Sequence, residues 1–84
     1  MPPITIYTTQ MCPFCHAAKQ LLGAKKAPFT EIAVDGDRAK RAEMTARAKG
    51  GATVPQIFIG ERHVGGCDDL YALESAGELD ALLA

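Results

Sequence analysis

Ile4-Thr5-Ile6-Tyr7-Thr8-Thr9-Gln10-Met11-Cys12-Pro13-Phe14-Cys15-His16-Ala17-Ala18-Lys19-Gln20-Leu21-Leu22 changes its period halfway along. Ile4 to Tyr7 is a β-branched and aromatic run, which reads as a strand. Beyond Cys12 the apolar residues Phe14, Ala17, Ala18, Leu21 and Leu22 recur at the three- and four-residue spacing of one helical stripe. Pro13 suits the first helical position, where its missing N–H would have no partner anyway. Gly23 and Pro28 mark where this helix gives out. A strand therefore runs into a helix that begins at two cysteines, Cys12 and Cys15.

Phe29 to Val34 alternates as a second strand, with Ile32 and Val34 on one face. Asp35-Gly36-Asp37 is a turn before helix-forming residues Arg38 to Ala48, and Ala39, Ala42 and Ala46 are expected to lie against a sheet. Gly50-Gly51 ends that helix. Gln56 to Ile59 and Glu61 to Val64 predict a hairpin turning at Gly60-Glu61. From Asp68 an amphipathic tail carries Leu70, Leu73, Leu79, Leu82 and Leu83, divided by Gly77 into two short helices. The order β-α-β-α-β-β-α predicts an α/β fold, one mixed four-stranded sheet with helices on both faces, whose opening strands are parallel.

Eighty-four residues suffice for a single domain spanning 1–84, one that buries only about 60% of its unfolded surface. With 48% hydrophobic and 23% charged residues, the composition is globular and excludes collagen, coiled coil and disorder. Nine Lys and Arg against ten Asp and Glu leave a net charge of −1, without the basic excess of a nucleic-acid binder. No apolar run approaches the roughly 20 residues of a membrane span. The opening Met1-Pro2-Pro3-Ile4-Thr5 lacks the basic and apolar regions of a secretory leader, so a cytoplasmic location is expected.

Three cysteines, at 12, 15 and 67, are too odd a number for a pure disulfide scaffold. Cys12 falls among the free N–H groups of a helix start, where a thiolate is favoured over a thiol. Such positions lower a thiol pKa from about 8.5 into a range of roughly 3.5 to 7.5. The helix dipole supplies only about 0.3–1 kcal/mol, so a large shift also needs N–H···S hydrogen bonds. Cys15 faces the helix body and is less accessible, so Cys12 attacks and Cys15 resolves. Two other readings are a metal half-site and a structural bridge. A structural zinc wants four ligands, and only Cys67, His16 and His63 remain to complete the set. A cytosolic chain disfavours the bridge.

These residues resemble the glutaredoxin family. Cys12-Pro13-Phe14-Cys15 is similar to its dithiol site, Thr53-Val54-Pro55-Gln56-Ile57-Phe58-Ile59 to its cis-proline segment, and Gly65-Gly66-Cys67-Asp68-Asp69-Leu70 to its glutathione-binding glycine motif. The three occur in the family's order and spacing from Ile4 onward. Asp35-Gly36 and Asp68-Asp69-Leu70-Tyr71-Ala72-Leu73 look closest to the bacterial glutaredoxin 3 type.

The resemblance implies a thioredoxin-like fold and a glutathione-dependent thiol–disulfide oxidoreductase. Its substrates would be glutathione mixed disulfides and protein disulfides, with glutathione as cosubstrate and no tightly bound cofactor or metal. It implies a cis Val54–Pro55 bond, whose Val54 N–H and C=O pair with the cysteinyl unit of glutathione as a short added strand. Without the resemblance, Pro55 reads as an ordinary turn proline starting an edge strand. Gly65-Gly66 permits close backbone approach. The N–H groups of Cys67 and Asp68 would take the γ-glutamyl carboxylate, and an Asp side chain the ammonium. Asp68 and Asp69 equally read as helix caps. Arg41, Arg47, Lys49 and Gln56 are candidates for the glycyl carboxylate.

The chain departs from the family in two places. Thr9 stands where a lysine is usual, near thiolate and glutathione, and Phe14 stands where a tyrosine is usual. A changed rate is expected, with activity retained. Cys67 reads either as a small buried residue at a helix start or as a site of glutathionylation or intermolecular bridging. The partners expected are glutathione and glutathionylated or disulfide-containing proteins, with the chain a monomer. Two alternatives are a thioredoxin-like reductase fed by a flavoprotein and an iron–sulfur cluster carrier using glutathione. The glycine motif argues against the first, and Pro13 with Cys15 against the second.

Overall fold

The sheet is built outward from its first strand, β1 (Ile4–Thr8), which pairs on both edges. The computed structural model describes residues 2–84; Met1, part of the stretch read for a leader, lies outside them. On one side β1 pairs in parallel with β2 (Thr30–Ala33). On the other it pairs antiparallel with β3 (Gln56–Ile59), which turns at Gly60-Glu61 into β4 (Arg62–Gly65). The sheet order is β2-β1-β3-β4, mixed and four-stranded as the element pattern predicts. The parallel β1–β2 pair needs a crossover, which α1 (Pro13–Ala24) supplies. Then α2 (Arg38–Arg47) connects β2 to β3, and α3 (Cys67–Ser75) and α4 (Leu79–Leu83) close the fold.

Strand alternation sorts the core into two layers. Ile4 and Ile6 of β1 and Ile57 and Ile59 of β3 bury with Ala18 and Leu22 of α1, Leu70 of α3, and Leu79 and Leu83 of α4. Tyr7 and Phe58 bury on the other layer, with Val34, Met44 and Ala48. Helices thus cover both faces, α1, α3 and α4 on one and α2 on the other. Lys25, just past the end of α1, holds Glu74 of α3 at 2.8 Å and Asp80 at 2.9 Å in α4. Gly77, at φ +74°, makes the break between α3 and α4 in the left-handed region open to glycine.

Several boundaries differ from the sequence reading. The second strand is shorter than Phe29–Val34, because only four residues pair with β1. The last strand runs one residue later than Glu61–Val64, since Glu61 is consumed by the turn. The larger correction concerns α2. Ala39, Ala42 and Ala46 are exposed, and Met44 and the capping residue Ala48 face the sheet instead. The alanine stripe marks the wrong side because the long Met44 side chain, with Ala48, packs against Tyr7, Val34 and Phe58 and turns the alanines outward. Outside, α2 carries Arg38, Lys40, Arg41 and Arg47 against Glu43.

Met44 is the one fully buried side chain of α2, so Met44→Ala is expected to destabilise by about 2–5 kcal/mol. The midpoint of urea unfolding measures this. An unchanged midpoint would show that α2 is held by its backbone and caps instead.

Candidate active site

Cys12 is the N-cap of α1, in an extended conformation (φ −113°, ψ 105°), with Pro13 beginning the helix. An N-cap side chain ordinarily accepts a hydrogen bond from a first-turn N–H. Here the acceptor is sulfur: the Cys15 N–H donates to Cys12 Sγ at 3.1 Å. The same sulfur lies 3.8 Å from the Val54 carbonyl, to which the thiol donates. Cys12 keeps 9% of its surface, while Cys15 keeps none. Burial pushes the Cys15 thiol up to about 12, and its hydrogen bond with Cys12 adds to the shift. The loop before the dithiol is tied down, since Gln10 N–H donates to the Asp35 carboxylate and the His16 ring bonds the Gln10 carbonyl.

The Val54–Pro55 bond is cis. Across from it, Gly66 caps α3 and lies so close that a Cβ there would sit 3.5 Å from the Pro55 carbonyl. Gly65 takes φ +115°, and the Asp69 carboxylate fills the space a side chain at 65 would need. That carboxylate accepts the Gly66 N–H at 2.9 Å, so the capping reading holds for Asp69. Cys67 is buried, which pushes its thiol pKa up, with Asp68 adding to the effect.

A groove of about 380 Å³ opens between the cis-proline segment and the start of α3, lined by Val54, whose carbonyl Cys12 meets, though not by Cys12 itself. Of the residues singled out in the sequence, Phe14, Thr53, Val54, Pro55, Gly66, Cys67, Asp68 and Asp69 line it together. Phe14 is 62% exposed at its rim. Thr9 is not among them: it lines a separate depression with Gln10, His16, Lys19 and Glu31. There Thr8 and Lys19 both bond Glu31, and the Thr8 hydroxyl in particular holds its carboxyl below the usual range. Of the four candidates for a glycyl carboxylate, Gln56 lines the groove. Arg41 reaches the Ala52 carbonyl at 3.0 Å, and Arg47 stacks on Phe58 and donates to the Tyr7 hydroxyl. His63, weighed in the sequence only as a metal ligand, also lines the groove. Its signal was the hairpin register, which sets His63 opposite Phe58. Among the described residues no three His, Cys, Asp or Glu side chains gather around a metal-sized space, and no helix is long and apolar enough to cross a membrane.

A mixed sheet with a dithiol at the start of its crossover helix and a cis proline facing that dithiol defines the thioredoxin-like class. A model of the glutaredoxin family matches residues 4–64. A Pseudomonas aeruginosa protein described as glutaredoxin is 64% identical over 84 residues, covering 100% of this chain and 99% of its own. Glutaredoxin 3 of Escherichia coli is 55% identical over 83 residues, covering 99% of each. A crystal structure of a buckwheat glutaredoxin–glutathione complex superposes with a TM-score of 0.87 at 30% identity, over 98% of this chain and 76% of that one. The chain belongs to the glutaredoxin family, whose members are thiol–disulfide oxidoreductases.

The raised Cys15 pKa carries a sign for stability. Below pH 9 the thiol is protonated in both states and its burial as a neutral group contributes in full. As pH rises from about 9 toward about 12, the unfolded chain releases this proton first, so stability falls. Urea midpoints across that interval are expected to decline less steeply for Cys15→Ala than for the wild type. Parallel declines would assign the alkaline loss to other groups.

Proposed function

We propose that this glutaredoxin reduces glutathione mixed disulfides and protein disulfides with glutathione as cosubstrate, through Cys12 and Cys15. The observation that supports this most is the placement of Cys12 Sγ. It is held by the Cys15 N–H and lies 3.8 Å from the carbonyl of Val54, which lines a groove whose opposite wall is the start of α3.

The Cys12 thiolate attacks the glutathione sulfur of a mixed disulfide. The new S–S bond joins Cys12 to glutathione, and the protein thiolate leaves and takes up a proton. A second glutathione thiolate then attacks the glutathione sulfur bonded to Cys12, forming oxidised glutathione and restoring the Cys12 thiolate. For a protein disulfide, the Cys12 thiolate attacks one substrate sulfur, and the other leaves as a thiolate that takes up a proton. Cys15 then gives up its proton, attacks Cys12 Sγ and closes an internal bridge, expelling the second substrate thiolate; two glutathiones then reduce that bridge and leave as oxidised glutathione. Burial keeps Cys15 a thiol until then, which favours the first route when glutathione is abundant.

The Val54 N–H and C=O pair with the cysteinyl unit. The first-turn N–H groups of α3 at Cys67 and Asp68 take the γ-glutamyl carboxylate, with Asp68 and Asp69 facing its ammonium. Asp69 does this with one oxygen already committed to Gly66. Phe14 and Thr53 complete the walls. Thr9, lying in the neighbouring depression, acts at most on the loop that carries Cys12.

Turnover of a glutathionylated peptide in the presence of glutathione tests the assignment. Cys12→Ser is expected to fall to the uncatalysed background, and Cys15→Ser to stay within about ten-fold of the wild type, because thiolate exchange at Cys12 needs no second thiol. Turnover that survives Cys12→Ser would overturn the nucleophile. Loss in Cys15→Ser would make the internal bridge obligatory and move the substrate class to protein disulfides.

A further inference from the structure

Gln56 is a polar side chain buried among apolar neighbours on β3, and its amide is used at both ends. Its Nε2 donates to the Thr53 carbonyl at 3.0 Å and lies 3.4 Å from the Thr53 hydroxyl. Only a donor suits a carbonyl, so the amide oxygen must point the other way. There Oε1 meets His63 Nε2 at 2.6 Å, which requires the imidazole to donate from that nitrogen. The ring is itself fixed, stacked on Phe58 at 4.9 Å between centroids and 25° between planes. The loop above is tight as well, since a Cβ at Gly51 would sit 3.0 Å from Gln56 Nε2. A chain of donors thus runs from β4 through β3 to the residue before Val54.

We propose that His63 is a positioning residue. Through the Gln56 amide it holds the Thr53 carbonyl, and so sets the Thr53–Val54 wall against which the substrate strand pairs. A Gln56 side chain without His63 can rotate and turn its oxygen toward the Thr53 carbonyl, where two acceptors repel. His63 is itself exposed, so its loss replaces a fixed donor to the Gln56 oxygen with mobile water, and the cost is the order of one hydrogen bond. His63 acts on binding, because its chain of hydrogen bonds ends at Thr53, one residue short of the Val54 carbonyl that Cys12 meets, while the Cys15 N–H still holds the sulfur. For its effect on turnover, the inference rests on the glutathione reading above.

His63→Ala is expected to raise KM for a glutathionylated peptide about five-fold while kcat stays within about two-fold, the size of one lost hydrogen bond expressed only in binding. The rate at which iodoacetamide alkylates Cys12 is expected to match the wild type. His63→Gln, whose amide can donate to the same oxygen, is expected to restore KM. Because His63 acts through Gln56, adding His63→Ala to Gln56→Ala should change nothing further. Additive effects in that cycle, an unchanged KM in His63→Ala, or slowed alkylation would each overturn the positioning role. Amide hydrogen exchange of residues 51–54 needs no glutathione: it should quicken in His63→Ala and return in His63→Gln, and unaltered exchange overturns the inference. A wild type inert toward the glutathionylated peptide would sink the glutathione reading alone, with the exchange result still deciding for or against His63.

Discussion

The Cys15 N–H donating to Cys12 Sγ is the contact on which the site depends. A helix start leaves N–H groups without partners, and most helices satisfy one with a hydroxyl or carboxylate. Using sulfur places the most polarisable acceptor of the chain at the positive end of α1. It also fixes the order of events. Cys12 must stand outside the helix body, where it keeps a little of its surface, and Cys15 must point back beneath it, where it keeps none. The asymmetry between the two thiols follows from the three-residue spacing once the first cysteine is the cap.

The rest of the fold brings two further chain segments to that cap. β1 delivers α1, β3 begins directly after the cis Val54–Pro55 bond, and β4 delivers the start of α3. Because β1 and β3 are the two central strands, the cap and the cis-proline segment emerge from neighbours in the sheet. Gly66 against the Pro55 carbonyl brings the third segment in. None of these approaches depends on α2, which covers the far face of the sheet.

Much of this was legible. The switch from strand to helix at Cys12, the hairpin at Gly60-Glu61 and the break at Gly77 are local signals, and local rules find them. The groove-lining set from Phe14 to Asp69 came from three motifs whose assembly a single alignment of β1, β3 and β4 achieves. What escaped depends on depth or register. Ala39, Ala42 and Ala46 formed the more regular stripe, but nothing in the sequence reports how far a helix stands from the sheet. Thr9 adjoins the dithiol in sequence and still turns into another depression, since the loop is pulled toward Asp35. Gln56 stands in the cis-proline segment and His63 in no motif, and neither position announces the other. They become partners only when the hairpin pairs, and a residue-by-residue reading cannot see that.

The formal charge of −1 does not show how the charges are spread. Arg38, Lys40, Arg41 and Arg47 project from α2, and Arg41 reaches the Ala52 carbonyl just ahead of Thr53. On the groove itself α3 opens with Asp68 and Asp69. Cations thus gather on the helix that covers one face of the sheet and carboxylates at the start of a helix on the other, so a net charge near zero conceals an uneven surface. Their reach is about 10 Å at 0.1 M ionic strength. Added electrolyte therefore weakens the field of both patches without altering a single contact.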